Sequence, residues 1–233
     1  MLTVNEIETL SKSLYTILRV EDCFKKSDFH ERYANQLFRI GVQFNNIQRK
    51  KEITNNYLEE YLKWNTEKAS DLPMTKYDCL VELTTLLCSF GLTHYEFLKR
   101  FFIETMILDR LGSRTGIKFS TRVTYGTFVK AFEKLPNFDK RMNEMLDEDF
   151  RNALAHDTWY LDENGMKYAN FKKEIIAIPF SKIPQKINMI GITYTIITKN
   201  YFQDFFPEMV KIYEKVGSKE INKLFPLYGM NED

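Results

Sequence analysis

"DFRNALAHDTWY", Asp149 to Tyr160, is the stretch on which the fold turns. Up to His156 it continues a helical pattern, and after His156 the pattern alternates. Upstream, "FDKRMNEMLDEDFRNALAH" follows Pro136 and reads as helix, either continuous or broken near Asp147, with Asn137 as a candidate cap. Downstream, "TWYLDENGMKYANF" is two short alternating runs around Asp-Glu-Asn-Gly. That is a hairpin signal, with Gly165 at the left-handed position. "EIIAIPF" reads as one more short strand or extended arm. Ser181 then opens a long helical stretch to about Val216, which Pro207 is expected to kink or split.

Working outward to the N-terminal side, helices dominate. Thr3 and Glu6 have the spacing of a capping box, and Leu10, Leu14, Ile17 and Leu18 keep helical spacing, so a helix is expected over about 4–20. Ser27-Asp28 opens a second helix. Its apolar stripe runs from Phe29 to Ile47, is interrupted by the charged patch "QRKKE" and resumes from Ile53 to Trp64, which suits either one long helix or a pair with a tight bend. "ASDLPM" breaks the pattern at Pro73. It separates an N-terminal helical region, 1–72, from a helical bundle, 73–233. "KYDCLVELTTLLCSFGL" reads as a buried helix ending near Gly91. Thr93 and Glu96 look like a second capping box, for a helix closed by Gly112. "GSRTGIKFSTRVTYG" is the longest loop-like stretch, and "TFVKAFEKL" a short amphipathic helix stopped by Pro136. The class expected is mainly α: an up-and-down helical bundle with a small β-hairpin after the motif helix.

Composition narrows the function classes. With 44% hydrophobic and 28% charged residues, a globular chain is expected rather than a disordered one. Thirty-three Lys and Arg against 32 Asp and Glu give a net charge of +1, which excludes a strongly basic nucleic-acid coat. Any contact with RNA must use a local basic face. Three cysteines (Cys23, Cys79, Cys88) without CxxC spacing, and only three histidines, argue against a zinc site or a disulfide framework. No metal and no cofactor are expected. No run is long and apolar enough for a membrane span and no signal peptide is visible at Met1–Leu14, so a cytoplasmic location is expected.

Arg151, Asn152 and His156 are the candidate catalytic residues. On a helix Asn152 and His156 share a face, and Arg151 lies about 140° from His156, within reach around the same groove. Ala153 and Ala155 leave room for a close neighbour. The trio suits RNA cleavage without a metal. Histidine can take or give a proton near neutrality. Arginine offers a planar fork to phosphate oxygens and stays charged. Asparagine can orient the imidazole or the ribose. One histidine must serve two proton transfers, and a two-fold dimer that opposes two copies of this helix supplies the second. Arg114, Lys118 and Arg122, in the loop-like stretch with little acid nearby, are candidate RNA-binding residues.

The Arg-Asn-x3-His pattern on a late helix of an all-α chain resembles the HEPN superfamily (higher eukaryotes and prokaryotes nucleotide-binding). The resemblance covers about Met74 to Val216. It implies an up-and-down helical bundle, and an activity found in many members: dimeric, metal-independent endoribonucleases that serve as toxins, anti-phage effectors or RNA-processing factors. By that resemblance Arg151 and His156 are catalytic, Asn152 supports them, the chain is a homodimer that meets RNA, and an antitoxin or other regulatory protein is expected. Some toxin members paired with nucleotidyltransferase antitoxins carry a tyrosine two residues after the histidine. Thr158 stands there in this chain, and Tyr160 lies further on, so that style of regulation is not expected.

The same residues allow blander roles. His156 can cap a helix end, Arg151 can pair with Asp147 or Glu148, and Arg114, Lys118 and Arg122 can be solvated surface charge. His94, directly after Thr93, reads as local structure at a cap. His30 has little to suggest function, and the Phe101–Phe102 stripe reads as core or dimer interface. The alternative function is a non-catalytic helical module that binds nucleotide, RNA or a protein partner through the same groove.

Overall fold

The Thr3–Glu6 box starts the first helix as its spacing predicts. Thr3 accepts from the Glu6 amide, and the Glu6 carboxylate accepts the Thr3 N–H at 2.9 Å. The computed structural model describes residues 1–24, 76–162 and 164–216. Its helices are α1 (Val4–Val20), α2 (Lys76–Thr105), α3 (Leu108–Thr115), α4 (Tyr125–Phe132), α5 (Met142–Leu146) and α6 (Glu148–Ala155). Strands β1 (Trp159–Asp162), β2 (Gly165–Ala169) and β3 (Ile175–Pro179) follow, then a 3-10 turn (Phe180–Lys182) and α7 (Ile183–Val216). The second helix expected from Ser27, the charged patch after Ile47, His30, the Pro73 boundary and the C-terminal tail lie outside the described residues.

The architecture is mainly helical with a small antiparallel sheet after α6. The long α7 receives both other long helices. Gln185 meets the Leu2 carbonyl, Ser11 bonds Thr193 at 3.2 Å, and Tyr15 donates to Asp204 at 2.6 Å. These contacts advance in the same sense, so α1 and α7 run parallel. Along α2, Gly91 meets Ile187, His94 meets Gly191, and the Phe101 ring meets Tyr201 at 5.1 Å. These two helices also run parallel. α6 runs the other way against α2: Phe150 packs near Tyr95 and Leu154 near Gly91. α1, α2 and α7 thus run in one direction and α6 in the other, a feature no periodicity can show because a stripe has no sense.

Several local expectations change. α2 is one 30-residue helix, with no stop at Gly91 and no new start at Thr93. The Thr93 hydroxyl donates to the Ser89 carbonyl one turn back, and Gly91 is the point where α2 and α7 close up. A Cβ at Gly91 would lie 2.5 Å from Ile187 Cδ1. Burial on both sides of the glycine outweighs its low helix propensity. The next helix ends in a left-handed Gly116 (φ +69), not at Gly112. Asn137 has φ +62 and caps nothing, while Asp139 accepts the Arg141 amide at 2.9 Å. Pro207 lies inside α7 without dividing it. A proline removes one backbone donor, and the turns on either side keep theirs.

The hairpin after His156 forms in the register Trp159–Tyr168 to Asp162–Gly165, and β3 pairs on the other side of β2. Met166, Tyr168 and Ile178 face inward, and Tyr160 and Ile175 outward. Gly165 has the positive φ its place in the turn suggests, and a close approach adds a second reason for glycine. Its φ is +151, and a Cβ there would sit 2.2 Å from the Ile178 carbonyl oxygen of β3. The turn itself is organised by Asp162, whose carboxylate accepts the Asn164 and Gly165 amides.

Candidate functional site

The motif helix α6 is eight residues long, too short to hold itself together. Contacts from four other elements fix it. At its start Asp147 accepts the Phe150 amide at 2.9 Å. The other oxygen of that carboxylate meets Lys186 Nζ of α7 at 2.5 Å. The Lys186 side chain is 9% exposed, lies over the Phe150 ring, and also reaches the Glu144 carbonyl at 3.4 Å. A buried ammonium is tolerated because it has a carboxylate, a carbonyl and a ring around it. Glu148 lies against Gly126 of α4, where a Cβ would collide with its carboxylate. Phe150 stacks into a buried group with Tyr95 and, from β2, with Tyr168 at 5.5 Å.

That aromatic group sits behind the motif. Burial, with the Asp147 carboxylate nearby, pushes the Tyr95, Tyr125 and Tyr168 hydroxyls upward, and they stay neutral at any physiological pH. For Tyr125 the Arg151 charge acts in the opposite direction. The Tyr125 hydroxyl and the Arg151 Nε are both buried and make no hydrogen bond among the described residues.

Arg151 and Asn152 are brought together: Arg151 Nη1 donates to Asn152 Oδ1 at 2.9 Å. The other terminal nitrogen, Nη2, is paired with Glu96 of α2. The partner is therefore neither Asp147 nor Glu148. Asp147 is occupied by Lys186, and Glu148 lies against Gly126. The Arg151 side chain is 13% exposed. His156 lies just beyond the helix. α6 ends at Ala155, and His156 is the cap residue (φ −109), its amide bonded to the Asn152 carbonyl at 3.0 Å. Its side chain is exposed, and the ring makes no hydrogen bond among the described residues. Asp157 takes the left-handed conformation (φ +53), and the Thr158 amide returns to the Ala153 carbonyl. This is the closing bond of a Schellman end with Asp in the position glycine usually fills. It sends the chain straight into β1.

The two described histidines could hardly differ more. His94 is buried inside α2, its Nδ1 3.0 Å from the Phe90 carbonyl and its ring against Phe90 and Tyr194. It is core, not a cap. His156 alone of the two faces solvent.

The loop cations are elsewhere. Arg114 is bound to Glu21, beside the Arg110–Asp22 pair where α1 ends. That corner is tied to the end of α2 by the Ile107 amide on the Cys23 carbonyl. Glu96 lies nine residues before Thr105, about 14 Å along the helix axis. Arg114 is therefore not gathered with Arg151. Lys118 and Arg122 are exposed in the loop before Thr124, with no ion pair among the described residues. Among the described residues no three His, Cys, Asp or Glu side chains converge on a point where a metal ion could be held.

Sequence reading missed Glu96 and Lys186. Glu96 looked like half of a capping box, and only its neighbour across the helix pair reveals its role. Lys186 stands among apolar residues of α7, and that setting was the one available signal. Compared with known protein families, curated proteins and solved structures, the chain matches none of them. No helix among the described residues is long and apolar enough to cross a membrane.

Proposed function

We propose that this chain is a metal-independent endoribonuclease of the kind its Arg-Asn-x3-His stretch resembles, working as a dimer. One observation supports this reading most. A single short helix carries a fixed guanidinium, bonded to Asn152, and ends in an exposed histidine whose ring is not taken up by the fold. In the reaction the 2′-oxygen attacks phosphorus and the bond to the 5′-oxygen breaks, leaving a 2′,3′-cyclic phosphate. One His156 accepts the 2′-OH proton, and the His156 of a second copy donates one to the 5′-oxygen. Arg151 neutralises the phosphorane, whose charge grows in the transition state, and Asn152 holds the guanidinium. A toxin or defence role, and a regulator that restrains it, follow from the hazard of such an activity.

The test is cleavage of single-stranded RNA in EDTA. His156→Ala and Arg151→Ala should each lower the rate by about 10²–10⁴-fold. Cleavage that survives both substitutions sinks the reading.

One observation favours a second reading, a non-catalytic helical module that binds nucleotide, RNA or a protein partner. Arg151 is nearly buried in its pair with Glu96, as a structural arginine is. Under that reading His156→Ala leaves binding and biological effect intact and no cleavage is seen in the parent protein.

A further inference from the structure

The Arg151–Glu96 pair is lopsided. The arginine side chain is 13% exposed and the glutamate 42%. The guanidinium is held by the packing of α6 and by Asn152. The glutamate, on α2, is the more exposed partner, with more room to change rotamer. A second cation is also within its reach: Lys99 Nζ lies 3.8 Å from Glu96 Oε2, one turn along the same helix. To a guanidinium, a carboxylate and a phosphodiester offer the same thing, anionic oxygens spaced for its N–H groups. Whichever is present takes Nη2. Because the arginine is the more buried of the two and is also held by Asn152, an exchange would move the glutamate.

We propose that Glu96 is a displaceable counter-ion, which occupies the phosphate-binding side of Arg151 in the free protein and passes to Lys99 when a phosphodiester takes its place. The inference rests on the reading of Arg151 as a phosphate ligand. It makes Glu96 a threshold: Arg151 is not presented as a naked cation in the free protein, and a substrate must outcompete a tethered carboxylate. Its signature is that loss of a group from the site improves binding.

The probe is a fluorescent single-stranded oligoribonucleotide carrying 2′-O-methyl groups throughout, which cannot be cleaved. It is titrated at low salt against the full chain and its Glu96→Gln, Arg151→Ala and doubly substituted variants. Glu96→Gln should bind about two- to fivefold more tightly, the range of a partly exposed ion pair. Arg151→Ala should weaken binding, and in that background Glu96→Gln should change nothing. Lys99→Met should weaken binding in the parent more than in Glu96→Gln. If Arg151→Ala weakens binding but Glu96→Gln does not tighten it, the counter-ion idea falls and the phosphate site stands. If Glu96→Gln tightens binding equally with and without Arg151, the gain is long-range charge and the proposal is overturned. If Arg151→Ala has no effect, both fall. Should Glu96→Gln fail to fold, as judged by circular dichroism, Glu96→Asp sets the carboxylate back by one methylene. It should tighten binding in the same direction by less, and no tightening overturns the idea.

Discussion

Helices α1 and α6 are held in place by opposite means. α1 is 17 residues long, with a complete capping box at its start and an apolar stripe of Ile7, Leu10, Leu14 and Leu18 beneath it. Its beginning is written within four consecutive residues. α6 has eight residues, and its place is set by partners far away in the chain: Lys186, Glu96 and Gly126. The helix that carries the candidate chemistry is thus the one least able to form alone. A short helix clamped from outside can be placed accurately, because its geometry belongs to the clamp.

The strongest way to break this contrast is to open the clamp. Asp147→Ala removes the cap of α6 and leaves Lys186 buried without its carboxylate, which should cost about 3–5 kcal/mol in urea unfolding. Asp147→Leu with Lys186→Met removes both charges and should lose much less. If the double variant loses as much as the single, the buried charge is not what matters. Next in size is Gly165→Ala, which drives a Cβ into the Ile178 carbonyl and should cost about 2–3 kcal/mol, read as a fall in melting temperature. An unchanged melting temperature would show that β3 does not depend on this close approach.

Thr3→Ala should cost only about 1 kcal/mol, since α1 keeps its apolar face. Amide exchange should rise in the first turn of α1 and stay unchanged in α6. The smallest effect is that of pH. Thr3 holds the Glu6 carboxyl below its usual 4.5, first through the backbone N–H and then through the hydroxyl. A depressed carboxylate contributes stability above its unfolded value and loses it as pH falls through the folded one. Between about pH 5 and pH 3, the parent should therefore lose slightly more melting temperature than Glu6→Gln. Equal slopes would remove Glu6 from the cap. A thiol assay adds a check on the core: burial raises Cys23 to about 11 and Cys88 to about 12. In a Cys79→Ser background neither should react at neutral pH until the protein unfolds.

Much of the fold can be read along the chain wherever the cause is local. The Thr3–Glu6 box, the hairpin after His156 and the strand at Ile175 all rest on residues a few positions apart. Elsewhere packing overrides a local signal. Thr93–Glu96 has the letters of a cap, yet α2 runs on because Gly91 and His94 are buried against α7. For the candidate site, Arg151, Asn152 and His156 were legible as a motif, but the partner of Arg151 was not. Asp147 and Glu148 are its neighbours in sequence, and both are occupied by other elements.

Legible from the residues alone are the start of α1, the hairpin after the motif, and the residue types that stand together at Arg151–His156. Capping, spacing and turn chemistry act over three or four residues, so they are visible without a fold. It takes the packed fold to show that His94 is core and His156 exposed, that α1, α2 and α7 run in one direction, and that Glu96 sits on the fork of Arg151. Those facts depend on which surfaces meet, and burial and charge pairing act between residues that adjacency in the chain does not connect.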